Sequence, residues 1–191
     1  MLLVGYTAVF IGYFQVWLPG PSAGLQLMGL EMGEWLKFLG VGAQRDWFYV
    51  PPVSLALLLI LPTFFWPRSW RTWGMRGTAV LAALLAFPAV EDITGAAKTQ
   101  YMLRAGMVGF VLLTALLAGF VRWRNGRFVV WLLMLLVAAA GLAGPLWVYI
   151  QIRPFLAETI KTQIGFGIGL WLNTLGHLLI IAAAKYSLPQ A

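Results

Sequence analysis

The last apolar segment of the chain, residues 162–186, restricts the possible folds more than any other stretch. Small or polar residues recur in it every four positions, at Gly165, Gly169, Asn173 and His177. On an α-helix this spacing places them in one narrow stripe. Bulky apolar residues cover the remaining surface, which suits lipid rather than water. In lipid, small residues let two backbones approach and polar side chains hydrogen-bond between helices. The segment therefore predicts a membrane helix with one contact face.

The composition extends this interpretation to the whole chain. Of 191 residues, 61% are hydrophobic and only 10% are charged, whereas about a quarter of the residues of soluble domains are charged. The length fits a single domain, residues 1–191. The chain has no cysteine, so disulfide frameworks and thiolate metal sites are excluded. No basic stretch precedes the first apolar run, so we expect it to be a retained helix rather than a signal peptide. The fold class is an all-α, polytopic integral membrane protein.

Six transmembrane spans are predicted from the apolar runs. Their approximate bounds are 2–18, 52–66, 77–90, 105–121, 128–150 and 164–184. The second and third are short for a full crossing, so a five-span or re-entrant variant around 79–90 stays open. The connection 19–51 contains apolar residues at helical spacing, which predicts an amphipathic segment. Such a segment lies flat at the membrane surface or caps the bundle.

Arginines in two short links indicate the orientation. The links 67–76 and 122–127 each carry three arginines and no acid. Because short cytoplasmic links are rich in Lys and Arg, both links and both termini are expected on the cytoplasmic side of the cytoplasmic (inner) membrane. The net charge of +7 is divided among these links rather than gathered on one face, so a nucleic-acid partner is not expected.

Polar features of three spans are predicted to meet near the middle of the bilayer. Pro145 frees the carbonyl of Gly141, four residues back in the fifth span. Helical rise places Gly141 and Asn173 at about 14 Å from one surface and Thr114 at about 13 Å. We expect the Asn173 side chain to donate to the Gly141 carbonyl or to pair with Thr114. The alternative is a cavity for a small molecule or a lipid, as in transporters with interrupted helices. Packing is favoured, because no Asp, Glu, Lys or Arg is expected inside a span.

His177 is the only histidine, and it allows two further interpretations. One imidazole can be the axial ligand of a haem or chlorin, with Met134 at a similar depth as a second ligand. A serine nucleophile would need His177 within hydrogen-bond distance. Ser54 is predicted near the end of its span, about 15 Å from the depth of His177. This pair is therefore expected to be too far apart, and catalysis is not expected.

Metal binding is not expected either, because a single histidine without cysteine cannot form an ordinary zinc site. The carboxylates of the longer connections are expected to form surface ion pairs rather than to hold calcium. The acids are Glu31, Glu34, Glu91 and Asp92, and the cations are Lys37, Lys98 and Arg104.

The expected function is that of a non-catalytic membrane subunit or scaffold. The contact face of the last helix would pack within the bundle or against other membrane subunits, including a second copy of the chain, in a lipid bilayer. In size, number of spans and small-residue packing, the chain resembles the substrate-capturing membrane components of energy-coupling-factor transporters. That resemblance implies a transport component that binds a small molecule. The third alternative is the haem or chlorin carrier.

Overall fold

Helices account for 79% of the structure, a computed structural model that describes residues 1–95, 98–121 and 126–187. The bounds are α1 Leu2–Tyr13, β1 Val16–Leu18, β2 Leu27–Met28, α2 Gly29–Phe38, α3 Val50–Ile60, α4 Trp70–Leu84, α5 Val90–Thr94, α6 Met102–Phe120, α7 Arg127–Ile160 and α8 Ile168–Ser187. Two 3₁₀ segments, Gly42–Tyr49 and Leu61–Phe64, extend α3 at its two ends. Among the described residues, four helical stretches are long and apolar enough to cross a membrane: Gly42–Phe64, Met102–Phe120, Arg127–Ile160 and Ile168–Ser187.

The first two predicted spans differ most from the structure. Helix α1 has only 12 residues, because the chain turns after it and Val16–Leu18 pairs with Leu27–Met28 in an antiparallel hairpin. The predicted span 2–18 is therefore too long. The second helical stretch starts at Gly42 rather than at residue 52, because the 3₁₀ segment leads directly into α3. A 3₁₀ segment lacks the 3.6-residue period on which the prediction relied.

The arginine link 67–76 is largely helical. Helix α4 begins at Trp70, because the Ser69 side chain caps it by accepting a hydrogen bond of 3.3 Å from the Thr72 N–H. It ends at Leu84, earlier than the predicted 90, and Pro88 follows shortly afterwards. Four residues of the second arginine link, 122–125, lie outside the described residues, so Arg122 and Arg124 cannot be placed.

Helix α7 is much longer than predicted, and α8 begins later. Helix α7 runs for 34 residues and contains both Pro145 and Pro154, so it continues ten residues beyond the predicted end at residue 150. It stops before Lys161, whose φ of 54° is left-handed. Helix α8 starts at Ile168 rather than residue 164, because the Gly167 N–H donates to the Trp17 carbonyl at 3.0 Å. That bond holds the chain extended beside β1.

The segment 19–51 covers one end of the helix bundle. Met32 and Leu36 of α2 are fully buried, and they pack with Trp17, Phe48 and Tyr149 in a second apolar core distinct from the one between the long helices. The packing matches the capping alternative for this segment. We call residues 16–49, with β1, β2, α2 and the 3₁₀ segment, the cap.

Helices α1 and α8 pack antiparallel through glycines. A Cβ atom at Gly5 would lie 2.9 Å from the Gly176 carbonyl oxygen, and one at Gly12 would lie 2.8 Å from the Gly169 carbonyl oxygen. Real Cβ atoms do not approach so closely, so each position requires glycine for this packing. The contact face of α8 is thus covered in part by the chain's own first helix.

Candidate functional site

A buried polar site inside the bundle joins α3 to α8. Ser54 Oγ and His177 Nε2 are 2.9 Å apart, and the other ring nitrogen, Nδ1, is 2.9 Å from the Asn173 carbonyl oxygen. Ser54 is 3% exposed and His177 is 0% exposed, so the bulk solvent does not reach the pair. A hydroxyl, an imidazole and a carbonyl therefore form one continuous buried chain of hydrogen bonds.

The structure contradicts the expected separation of Ser54 and His177. The depth of Ser54 was counted from residue 52, but its helical stretch begins at Gly42, which places Ser54 twelve positions into it. His177 moves the other way, because α8 begins at Ile168 rather than at residue 164. The two shifts bring the side chains to the same level. Pro51 and Pro52 mark the first turn of α3 at Val50, and no comparable signal in the sequence marks the 3₁₀ segment that begins at Gly42.

The hydrogen-bond partners define the proton positions of the site. A carbonyl oxygen cannot donate, so Nδ1 carries a proton and donates to Asn173. In the neutral imidazole, Nε2 is then an acceptor, and the Ser54 hydroxyl donates to it. Ser54 Oγ also lies 2.9 Å from the Pro51 carbonyl oxygen. If Nε2 gained a proton, it would donate to Ser54 Oγ and the hydroxyl would turn to Pro51. Both states keep every polar atom of the pair hydrogen-bonded.

Gly141 of α7 lies directly against the pair. A Cβ atom at this position would overlap His177 Nε2 and Ser54 Oγ and would lie 2.8 Å from His177 Cδ2. The backbone of α7 therefore covers the Ser54–His177 hydrogen bond from one side. The sequence predicts a contact between Gly141 and Asn173, but the polar atoms nearest to a Cβ at Gly141 belong to His177 and Ser54.

The predicted hydrogen bonds of Asn173 are not formed. Within the described part of the chain, the Oδ1 and Nδ2 atoms of Asn173 are buried without a hydrogen-bond partner. Thr114 instead donates to the Phe110 carbonyl of its own helix at 2.7 Å. Thr114 and Asn173 therefore form no hydrogen bond with each other. Thr114 lines a small cavity between α3, α6 and α7. Asn173 uses its backbone, rather than its side chain, to orient His177.

The remaining predicted site residues have structural surroundings of their own. Gly165 precedes α8, and its carbonyl accepts a 2.6 Å hydrogen bond from the Tyr149 hydroxyl. Gly169 packs against α1. Pro145 is buried inside the continuous α7, and Met134 is fully buried in the main apolar core. Both ring nitrogens of His177 are hydrogen-bonded, so an axial bond to a metal at Nε2 would replace the bond to Ser54.

A second polar cluster ties the cap to α6. Arg104 Nη1 and the Tyr49 hydroxyl each lie 2.6 Å from Glu34 Oε1, and the Arg104 guanidinium stacks 3.6 Å from the Tyr49 ring centroid. Partial burial alone would raise the pKa of Glu34, but the hydrogen bonds from Tyr49 and Arg104 outweigh it and hold this pKa below its usual value. The expected ion pair with Arg104 forms with Glu34, but the Arg104 side chain is buried rather than at the surface.

Sequence reasoning missed the burial of Arg76. Assigned to a link, it lies within α4 and is only 5% exposed. Its Nε donates to Thr63 Oγ1 at 3.0 Å, and its Nη2 donates to the carbonyls of Thr63 and Ala118. A free carbonyl at the end of α6 is thus satisfied by a cation, as helix C-termini favour. The hydrogen bonds of Arg76 thus connect α4 to the ends of α3 and α6 that lie opposite the cap.

These features define a class of protein: an all-helical chain whose helices are suited to a membrane and whose buried polar side chains form hydrogen bonds between its own helices. Comparison with known proteins adds no narrower assignment, since no family model, no curated protein and no solved structure matches the chain.

Proposed function

We propose that the chain is a non-catalytic integral-membrane subunit or scaffold. The observation that supports this most strongly is the position of Gly141, whose backbone lies on the Ser54–His177 pair. A nucleophilic serine needs an open position beside Oγ where the reacting carbonyl can sit. Here α7 occupies one side of that position, and the hydrogen bonds of the pair instead link α3 to α8. In lipid such links fix helix positions.

The same proposal includes six crossings, with α1 and α4 as the two beyond the four long stretches. Helix α1 has 12 residues, or about 18 Å, against a hydrocarbon core of about 30 Å. Its antiparallel packing on α8 supports a crossing within a locally thinned bilayer. The basic residues Arg68, Arg71 and Lys185 support a cytoplasmic location for the end opposite the cap and for both termini.

Partner subunits or self-association would use the faces that the chain leaves uncovered. In the most apolar windows of α6 and α7, only 28% of the residues are buried. Their exposed side chains include Phe110, Leu113, Leu116 and Leu136. Apolar faces of this kind are covered by lipid or by a neighbouring helix.

Native mass spectrometry in mild detergent, combined with a serine-directed fluorophosphonate probe, tests the proposal. We expect assemblies heavier than the 21.1 kDa chain and no labelling of Ser54. A stable monomer would contradict the subunit assignment. Labelling that disappears in the Ser54→Ala variant would contradict the non-catalytic assignment. The two outcomes are independent, so each part can fail alone.

The Ser54–His177 hydrogen bond also favours a second candidate, an acyl-transferring hydrolase. Ser54 Oγ would attack a carbonyl carbon, its proton would pass to His177 Nε2, and the leaving group would then take that proton. Water, activated by His177, would then release the acyl group as an acid and restore the Ser54 hydroxyl. The Asn173 carbonyl would hold the imidazole in the required tautomer. This activity requires α7 to move away from the Ser54–His177 pair. Labelling of Ser54 by the fluorophosphonate probe should therefore increase under conditions that weaken the packing of α7.

The two remaining alternatives have simpler tests. A transport component would bind a small molecule or lipid beside the unpaired side chain of Asn173, and replacement of this residue by leucine should abolish binding. A haem or chlorin carrier would use His177, with Met134 as the expected second ligand, and would show a Soret band in the absorption spectrum of the purified protein. A colourless protein would rule out the carrier.

A further inference from the structure

Two neighbouring cavities lie along α7 at the end that carries the cap. The first has a volume of about 690 Å³ and lies between the 3₁₀ segment of the cap and α7; we call it the Trp47 groove. Its main lining residues are Trp47, Ala140, Ala143, Gly144, Trp147 and Gln151. The second, of about 390 Å³, is lined by Arg153 and Gln163 among others. Ile150 lines both cavities, so they lie next to each other.

The groove is apolar at its inner end and polar at its outer end. The alanines and Gly144 form its floor, and the Trp47 ring lies so close to Gly144 that a Cβ atom there would overlap it. Gln44 and Gln151 contribute amides. The change in polarity follows the order of residues along α7, from Ala140 to Gln151 and then Arg153.

The length of α7 shows where this change falls in a bilayer. Its 34 residues span about 51 Å, well beyond a hydrocarbon core of about 30 Å. The apolar run of α7 ends at Ile150, and the polar residues Gln151 and Arg153 follow. The headgroup level of the membrane therefore lies near these two residues. The exposed Trp147 is at the depth where tryptophans of membrane proteins concentrate.

Arg153 supplies a positive charge at that level. Its Nε donates to the Ile164 carbonyl, and its guanidinium lies 5.1 Å from the Phe166 ring centroid. These contacts hold the side chain in place and leave both Nη groups for a ligand. Within the described residues, the salt bridges of Arg104 and Arg45 are the only ones, so no carboxylate neutralises Arg153. The nearest acid along α7, Glu158, lines neither cavity.

We propose that the two cavities together bind one anionic phospholipid of the surrounding bilayer. One acyl chain occupies the Trp47 groove, the amides of Gln44 and Gln151 meet the glycerol esters, and Arg153 binds the phosphate. Arginine recognises phosphate through paired, charge-assisted hydrogen bonds. Basic pockets between membrane helices bind anionic headgroups by the same chemistry. The site is separate from the Ser54–His177 pair and would exist whatever the function of that pair.

Retention of lipid in native mass spectrometry tests the site. The protein is reconstituted in nanodiscs with equal phosphatidylglycerol and phosphatidylcholine, then released into mild detergent. We expect one retained phosphatidylglycerol, about tenfold weaker retention in Arg153→Gln, and loss of the lipid in Ala143→Phe, which fills the groove. The matched controls are Lys98→Gln, an exposed cation elsewhere, and Ala139→Phe, an exposed position on α7 outside the groove. Equal retention of both lipids, or equal effects of test and control variants, would overturn the proposal.

A fluorescence measurement keeps the test decisive if a filled groove destabilises the fold. Because the chain has no cysteine, Ala143→Cys provides a unique site for a bimane label inside the groove. Brominated phosphatidylglycerol should quench this label more strongly than brominated phosphatidylcholine. An excess of phosphatidylglycerol without bromine should displace the brominated lipid and remove the additional quenching. A label at Leu116→Cys, on the exposed face of α6, should be quenched equally by both lipids. Equal quenching at residue 143 would refute a specific site.

Discussion

Replacing Gly141 by alanine should destabilise the protein, although alanine is the better helix former. The added methyl group would overlap Ser54 Oγ and His177 Nε2. Overpacking of this kind costs about 1–3 kcal/mol, and a buried hydrogen-bonding group left without its partner costs about 1–3 kcal/mol more. The gain in helix propensity returns only about 1 kcal/mol. A net loss of about 3 kcal/mol corresponds to a melting temperature lower by roughly 6–12 °C.

Gly109→Ala is the matched control for this experiment. Gly109 lies inside α6, and a Cβ atom there would have nothing within 4 Å. This variant should gain up to about 1 kcal/mol from helix propensity alone. The assay is thermal unfolding in mild detergent followed by circular dichroism, with the helix content at the starting temperature checked for each variant.

A double-mutant cycle identifies the cause. Ser54→Ala removes the hydroxyl that the methyl group would strike, so Gly141→Ala should cost at least about 1 kcal/mol less in that background. If Gly141→Ala and Gly109→Ala had equal melting temperatures, the close approach of α7 to the Ser54–His177 pair would be refuted.

Three further predictions concern other contacts of the bundle. Gly176→Leu should separate α8 from α1 and lower the melting temperature strongly. The control Gly165→Leu should have little effect, because a Cβ atom there would contact only Pro19, at 3.8 Å. Equal losses in the two variants would contradict the glycine packing. Because the pKa of Glu34 is lowered in the folded protein, its ion pair stabilises the cap fully above the usual glutamate pKa of about 4.3, and this stability is lost as the pH falls through the lowered value. The protection factors of the α2 amides, which correct for the slower intrinsic exchange at low pH, should therefore fall as the pH is lowered from about 5 to about 3. A Glu34→Gln variant should not show this change. Arg76→Gln should lower the melting temperature by leaving the Ala118 carbonyl unpaired, at a cost of about 1–3 kcal/mol, and an unchanged melting curve would show that this buried arginine contributes nothing to stability.

The long helices were predictable because their signal is local. The helices α6, α7 and α8 have 19, 34 and 20 residues, close to or above the roughly 20 needed to cross a membrane, and each was predicted within a few residues at one end at least. The stripe of α8 was also informative, since Gly169, Asn173 and His177 are all buried in the structure. The stripe showed which face makes contacts, but not which partner covers that face.

The polar partners were not predictable, because distant residues supply them. Ser54 reaches His177 only because the 3₁₀ segment before α3 is helical, and that segment contains the adjacent charges of Arg45 and Asp46, which resemble a loop in the sequence. Their burial depends on the cap. Arg76 resembled a topology signal, yet it is satisfied by the Ala118 carbonyl, 42 residues away. Such pairings depend on tertiary packing and leave no periodic pattern.

The contact between α1 and α8 has a consequence for biosynthesis. Residues of the first helix are synthesised more than 150 positions before the glycines that pack against them, Gly169 and Gly176. Until then, a segment of 12 residues must stay in the insertion machinery or at the bilayer surface without its partner. Contacts between distant parts of a chain form slowly, and transiently exposed apolar surface favours aggregation. A nascent chain that stops before α8 should therefore be a preferred substrate for membrane quality-control proteases.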